Sequence, residues 1–221
     1  MLVRVKSPNC QSVDGHLAAL AGQRVLSSEF NYRKEAELFG EGEDAEYVYQ
    51  IIFGAVRTYK LLPDGRRQIN SFHLIGDMFG FENGATHRFT AEAIVETKVR
   101  IMRRRGLLDA MVNEPECMTN LLRLTTLNLE HAENHMLLLG RKSSLEKVAA
   151  FLIEMDDRLV HPDELTLPMG RRDIADYLGL KLETVSRALS TMRDRGILRF
   201  NELTHRHVVL MDREGLAKLD G

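Results

Sequence analysis

Leu182, Glu183, Ser186 and Arg187 fall on one face of any helix that runs through LKLETVSRALS. A carboxylate on that face accepts hydrogen bonds, a guanidinium offers a two-pronged donor, and a leucine offers apolar contact alone. On a helix lying in a major groove, the carboxylate suits cytosine N4 and the guanidinium suits guanine O6 and N7. Arg171, Lys181 and Thr184 stand close enough in sequence to hold backbone phosphates. The bland alternative is a solvated Glu183–Arg187 ion pair at i and i+4. Which reading holds depends on what supports the helix.

The support is written in LPMGRRDIADYLGLKLETVSRALSTMRDRGIL, residues 167–198. A first helix is expected from Arg171 to Leu178. Ala175 is small, as a close helix crossing requires. Gly179, four residues on, can take the positive φ of a turn, and Val185, six further on, can pin a second helix against the first. Ile174, Leu178, Leu180, Val185, Leu189 and Met192 supply a small core, and Asp194 to Leu198 close the second helix. Arg199-Phe200 and Val208-Val209-Leu210 read as a hairpin, so the expected unit is a winged helix-turn-helix. Between Leu165 and His207 eight Lys/Arg stand against five Asp/Glu, a local +3 in a chain whose net charge is −2. That sign fits a polyanion.

Upstream, Met118, Leu122, Thr125, Leu129, Ala132, Met136 and Leu139 step by 4 and 3 in alternation. This is a heptad seam sustained over three repeats, and the spacing favours pairing with a second copy over burial within one chain. Leu121, Leu124 and Leu138 lie beside the seam and are expected to pack the helix on its own β domain. Pro115 suits the first turn of this helix or a break just before it. Ser143-Ser144-Leu145-Glu146 fits a capping box for a further helix through Val148, Phe151, Leu152 and Met155, stopped at His161-Pro162. From Ala36 to Arg103, β-branched and aromatic runs such as Tyr47–Phe53 and Ala55–Tyr59 alternate with Gly turns, which reads as a sandwich or barrel. Asp64-Gly65 is a hairpin signal, His16–Leu26 reads as a short helix, and Leu165–Leu167 as a short strand.

Composition narrows the classes. The chain has 221 residues, 44% hydrophobic and 28% charged, enough for two domains. No run approaches a membrane span, and MLVRVKSPNC lacks the apolar core of a secretory signal, so a cytoplasmic protein is expected. Two cysteines, Cys10 and Cys117, supply neither a disulfide scaffold nor a cluster site. No nucleophile triad, phosphate loop or carboxylate pair supports an enzyme.

Taken whole, the chain resembles the CRP/FNR superfamily, most closely its FixK-type branch. The resemblance rests on FGEGEDAEYVYQIIFGAVRTYKLLPDGRRQI, LIGDMFGFE, HRFTAEAIVET and RRDIADYLGLKLETVSRALS. It implies an α+β protein with an N-terminal antiparallel β-roll of the cyclic-nucleotide-binding jelly-roll kind (1–106), a dimerisation helix (107–141) and a winged helix-turn-helix (142–221). It also implies a homodimeric activator that contacts RNA polymerase and controls microaerobic respiration or nitrogen fixation. FNR-like relatives read TTGAT half-sites, and Glu183, Ser186 and Arg187 match their pattern. Leu182 stands where the cyclic-AMP branch has an arginine.

The same resemblance argues against a cofactor. Nucleotide-binding relatives carry Gly-Glu and then Arg-Ser, where this chain has Gly76-Asp77, one methylene shorter, and then His87-Arg88-Phe89-Thr90, with the arginine one place out of step. The nucleotide-facing helix positions align with Ala132 and Glu133. The oxygen-sensing cysteine cluster is reduced to Cys10, and the haem-ligand positions align with Gly80 and Glu82. Gly76, Asp77 and Gly80 therefore read as turn residues. His131 and His135, one turn apart, have the spacing of a metal pair but lack the zinc-protease pattern. His205 and His207 suit phosphate contact, and Arg103-Arg104-Arg105 reads as a solvated charge run. The expectation is a regulator with no cofactor; its rival is a ligand-gated member of the same fold.

Overall fold

The β-branched and aromatic segments form strands, and the glycines between them form turns. The computed structural model describes residues 27–113, 115–140, 143–159, 165–201 and 206–220. Cys10, the His16–Leu26 helix, the Pro162 stop and His205 lie outside the described residues. In chain order the strands are β1 Ser27–Tyr32, β2 Glu37–Phe39, β3 Tyr47–Phe53, β4 Val56–Leu61, β5 Arg67–His73, β6 Met78–Phe79, β7 Thr90–Ala93 and β8 Thr97–Arg103. Then follow α1 Arg104–Asn113, α2 Pro115–Gly140, α3 Ser144–Arg158, β9 Leu165–Thr166, α4 Arg171–Leu178, α5 Leu182–Asp194, β10 Leu198–Phe200, β11 His207–Leu210 and α6 Arg213–Asp220. Two units form. Of the described residues, one gathers those from Ser27 to Val56 with those from His73 to Leu127, the other Arg57–Phe72 with those from Asn128 to Asp220.

In the first unit an antiparallel sheet runs β1-β8-β3-β6, and β2 pairs with β7. Gly54 makes the turn after β3 with φ +89°, and an added Cβ there would come 2.5 Å from the Glu96 carbonyl, so only glycine fits. The interior is aromatic. Phe39 meets Tyr49 and Phe79 at ring separations of 5.2 and 6.2 Å, and stacks on His87 at 3.6 Å. A second cluster joins Val48, Met78 and Met102 to Leu107 of α1 and Cys117 of α2, with Leu121 and Leu124 packed against it. Arg104 is not merely solvated, because its guanidinium donates to the Gly84 carbonyl at 2.6 Å.

Helix α2 starts at Pro115, where a missing N–H costs nothing. Its two faces differ. Cys117, Leu121 and Leu124 turn inward, while Met118, Leu122, Leu129 and Met136 are 51, 67, 58 and 67% exposed. Thr125, Ala132 and Leu139 are exposed on the same stripe. Leu138 is also buried, but it belongs to the second unit and not, as expected, to the β domain.

In the second unit the capping box forms. Ser143 Oγ accepts from the Glu146 amide at 3.1 Å, and Glu146 accepts from the Ser143 amide at 3.3 Å. Val148, Phe151, Leu152 and Met155 of α3 are fully buried. Strands β10-β11-β9 make the three-stranded wing. Helix α6, which no pattern announced, packs on α3, buries Leu216 and sends Arg213 to Asp156 at 2.9 and 3.0 Å. The β4–β5 hairpin belongs to this unit too, turned by Gly65 at φ +80°.

Candidate nucleic-acid interface

Helix α4 ends where Gly179 takes φ +63°, and the following Leu180 amide donates to the Ala175 carbonyl at 2.9 Å. That left-handed residue closes α4 and turns the chain into α5 within three positions. Ala175, Val185, Ala188, Leu189 and Met192 are buried at the crossing, with Ile174 and Leu178 beneath them. Leu180 is only half-buried, so it contributes less to this core than its type suggests. A tight, apolar mount of this kind fixes α5 as a rigid platform.

On that platform Glu183 and Arg187 are exposed, and among the described residues no ion pair joins them. Ser186 and Thr184 are half-buried beside them, and Lys181 is exposed at the cap, where its side chain makes no capping bond. Leu182 is half-buried. It borders a largely apolar cleft of about 340 Å³ lined also by Ile174, Leu189, Phe200 and Val208, with Arg171 and Arg206 at its edge. The Arg171 guanidinium sits over the Phe200 ring at 5.3 Å. The ring attracts the guanidinium by its quadrupole, and Arg171 Nε is buried. Sequence reasoning placed Arg171 near phosphates but missed Phe200, although an aromatic in the expected wing was the available signal.

Behind α4 lies a polar junction that spacing did not reveal. Glu154 of α3 receives Arg158 Nη1 at 2.9 Å and the Tyr177 hydroxyl at 3.3 Å, and it lies 2.9 Å from His131 Nε2. Burial works to raise the Glu154 carboxyl, but His131 and Arg158 outweigh it and hold it below the usual carboxylate range. His135 stacks on the Tyr177 ring at 4.1 Å, and burial pushes its imidazole down to about 4. The two histidines thus meet a carboxylate and an aromatic ring. Among the described residues no group of three or more His, Cys, Asp or Glu is placed to hold a metal.

In the β-roll, the residues aligned with the nucleotide cassette have other partners. Asp77 Oδ2 accepts the Leu74 amide at 2.7 Å beside Gly76 at φ +93°. Arg88 donates to Glu82 at 2.7 Å, and His87 is buried against Phe39. His207, the first residue of β11 in the wing, lies 3.0 Å from Thr166 Oγ1 across the strand pair. No described helix is long and apolar enough to cross a membrane.

Comparison with known proteins agrees with this geometry. Residues 146–219 match the family model of the Crp-like helix-turn-helix domain, and residues 29–114 match that of the cyclic nucleotide-binding domain. The nitrogen fixation regulation protein FixK of Rhizobium meliloti (strain 1021) is 41% identical over 91% of this chain and 90% of its own. The transcriptional activatory protein AadR of Rhodopseudomonas palustris is 40% identical over 88% of this chain and 79% of its own. The solved structure of FixK2 from Bradyrhizobium japonicum superimposes with a TM-score of 0.85 at 54% identity, covering 89% of this chain and 98% of that one.

Proposed function

This chain belongs to the CRP/FNR superfamily of DNA-binding transcription regulators, in its FixK-type branch, and from that premise we propose that it acts as a homodimer on a palindrome close to TTGAT-N4-ATCAA without an obligatory small-molecule effector. Arg187 reads the guanine by a bidentate contact, Glu183 takes an amino group across the pair, Ser186 adjusts between them, and Leu182 offers apolar contact to a thymine methyl. Arg171, Lys181 and Thr184 hold phosphates. The seam from Met118 to Leu139 joins two copies, so that two reading helices lie one DNA turn, about 34 Å, apart.

The observation that carries this reading is the exposure of Glu183 and Arg187 on a helix rigidly mounted at Ala175 and Val185. Independence from an effector is supported by the engagement of Asp77 with Leu74 and of Arg88 with Glu82. Several relatives are named as regulators of nitrogen fixation. We extend that role to this chain as control of microaerobic or nitrogen-fixation genes, exercised in the cytoplasm through RNA polymerase.

The test is selection of operator DNA from a random pool by the purified protein with no ligand added. Recovery of TTGA in each half supports the reading. Recovery only after a small molecule is supplied favours the ligand-gated alternative, and a site lacking TTGA overturns the assignment of Glu183 and Arg187.

A further inference from the structure

Two arginines of the β4–β5 hairpin reach the helix on which the reading helix is mounted. Arg57 Nη1 donates to Asp173 Oδ1 at 2.9 Å, and Arg67 Nη2 donates to the same oxygen. Arg67 also grips Asp176, one turn further along α4, through Nε at 3.0 Å and Nη2 at 2.8 Å. The four side chains are only 10, 21, 11 and 17% exposed for Arg57, Arg67, Asp173 and Asp176. Two cations and two anions thus meet in a largely water-free contact, and the exposed Arg172 adds a looser pairing to Asp176 at 3.7 Å. The Arg67 guanidinium also lies 5.5 Å from the Tyr59 ring centre, which limits the directions it can take.

The rest of the hairpin meets both α4 and α3. Gln68 Nε2 donates to the Tyr177 carbonyl at 3.3 Å, and Arg158 donates to the Phe72 carbonyl at 2.9 Å. Phe72 packs its ring against Phe151 and Tyr177 at 6.2 and 5.0 Å. Apolar contact of this kind holds α4 down but leaves rotation about the contact cheap. Buried ion pairs add little net stability, because desolvation offsets attraction, yet their geometry is demanding. Two anchor points one helical turn apart fix both the position and the roll of α4. Helix α5 inherits that setting through the crossing at Ala175 and Val185. Lys181, Glu183 and Arg187 remain exposed while the clasp is closed, so the clasped arrangement leaves the reading face open.

We propose that Arg57 and Arg67 are positioning residues for operator reading, clasping Asp173 and Asp176 so that the hairpin sets the angle at which α5 is offered to DNA. The inference rests on the DNA reading above. The experiment uses the operator that the unmodified protein itself selects, whatever its sequence. Arg67→Ala is expected to weaken binding about tenfold, within the range of couplings across one ion-pair network. The base preference should stay the same. The slope of log affinity against log salt should fall, because a misangled α5 makes fewer phosphate contacts. A protein that is merely less stable keeps the slope and loses only active molecules, which stoichiometric titration counts. Arg67→Lys, which keeps the charge without the fork, should lose less. Unchanged binding by Arg67→Ala overturns the clasp alone, as does a loss with the salt slope intact. Failure of the unmodified protein to select any DNA overturns the DNA reading and the clasp with it.

Discussion

Two segments of this chain align with ligand-contacting segments of its superfamily, and they treat their polar side chains in opposite ways. In the β-roll, Asp77 caps its own turn at Leu74, Arg88 closes on Glu82, and His87 is stacked on Phe39. In the helix-turn-helix, Glu183 and Arg187 stand exposed, with neither paired to the other. A buried or internally satisfied polar group must break a bond before it can meet a ligand, and that exchange is close to neutral. An exposed donor on a rigid helix exchanges only water. The interior of the roll holds aromatic rings, whereas Glu183 and Arg187 face solvent.

Helix α2 shows the same contrast within one element, and there the largest effect is expected. Its inward face is engaged in the roll through Cys117, Leu121 and Leu124, whereas Leu129 at the middle of the outward stripe is 58% exposed. Leu129→Asp places a charge at the centre of the proposed seam, where it has no partner and would be desolvated in the dimer. Sedimentation should show monomers, and operator binding should be lost. A variant that sediments as a dimer and binds as before would remove the seam from this account.

Arg187→Ala comes next. Losing one bidentate base contact costs about 1–3 kcal/mol per half-site, and two half-sites lose it together. Selection should return relaxed preference at one base pair in each half with the rest of the site intact. Leu182→Arg, by contrast, should shift preference toward TGTGA-type half-sites. Retained guanine preference in Arg187→Ala means that the exposed donor is not the reader.

How much of this was legible depends on range. Gly54, Gly65 and Gly179 announced their turns because only glycine takes positive φ cheaply, and Ser143 with Glu146 announced the start of α3. The 4–3 step along α2 is equally local, and the stripe it marks is exposed. Arg57 and Arg67, however, meet Asp173 across 116 and 106 residues, and no spacing rule connects such positions. Arg103-Arg104-Arg105 looked like one charge run, yet Arg104 bonds Gly84. His131 and His135 looked like a pair because they share a helix face. Their partners come from α3 and α4, which a period on one helix cannot show.

That junction gives a smaller effect, read in pH. The unfolded His135 titrates near its ordinary 6.5, while the folded imidazole stays neutral down to about 4. Between those values the unfolded chain binds the extra proton, so stability falls as pH drops through the window and levels off below it. The slope is at most about 1.4 kcal/mol per pH unit. Glu154, held low, contributes stability above its ordinary value that is lost only in more acid solution. His87 of the roll shifts in the same direction as His135, so the informative quantity is the difference between proteins. His135→Phe keeps the stack on Tyr177 and removes the proton site. Its denaturant midpoint should fall less than that of the unmodified protein between pH 7 and pH 5, and an equal fall would show that His135 is not protected.

The smallest effect tests the roll directly. Arg88 stands one place out of step with the phosphate-binding arginine of nucleotide-gated relatives, and its side chain is 64% exposed over a nearly buried Glu82. Exposure alone would let it swing to a cyclic phosphate, but leaving Glu82 without its partner offsets the gain. Arg88→Gln retains a donor for Glu82 and removes the charge a phosphate would need. If the roll is engaged as described, operator affinity measured by titration should change by less than about twofold in this variant, as for most surface substitutions. Cyclic AMP should then raise affinity in neither protein. A gain with cyclic AMP that Arg88→Gln abolishes would mean that Arg88 leaves Glu82 for the ligand. The two segments would then be alike in kind, differing only in how firmly their side chains are held before the ligand arrives.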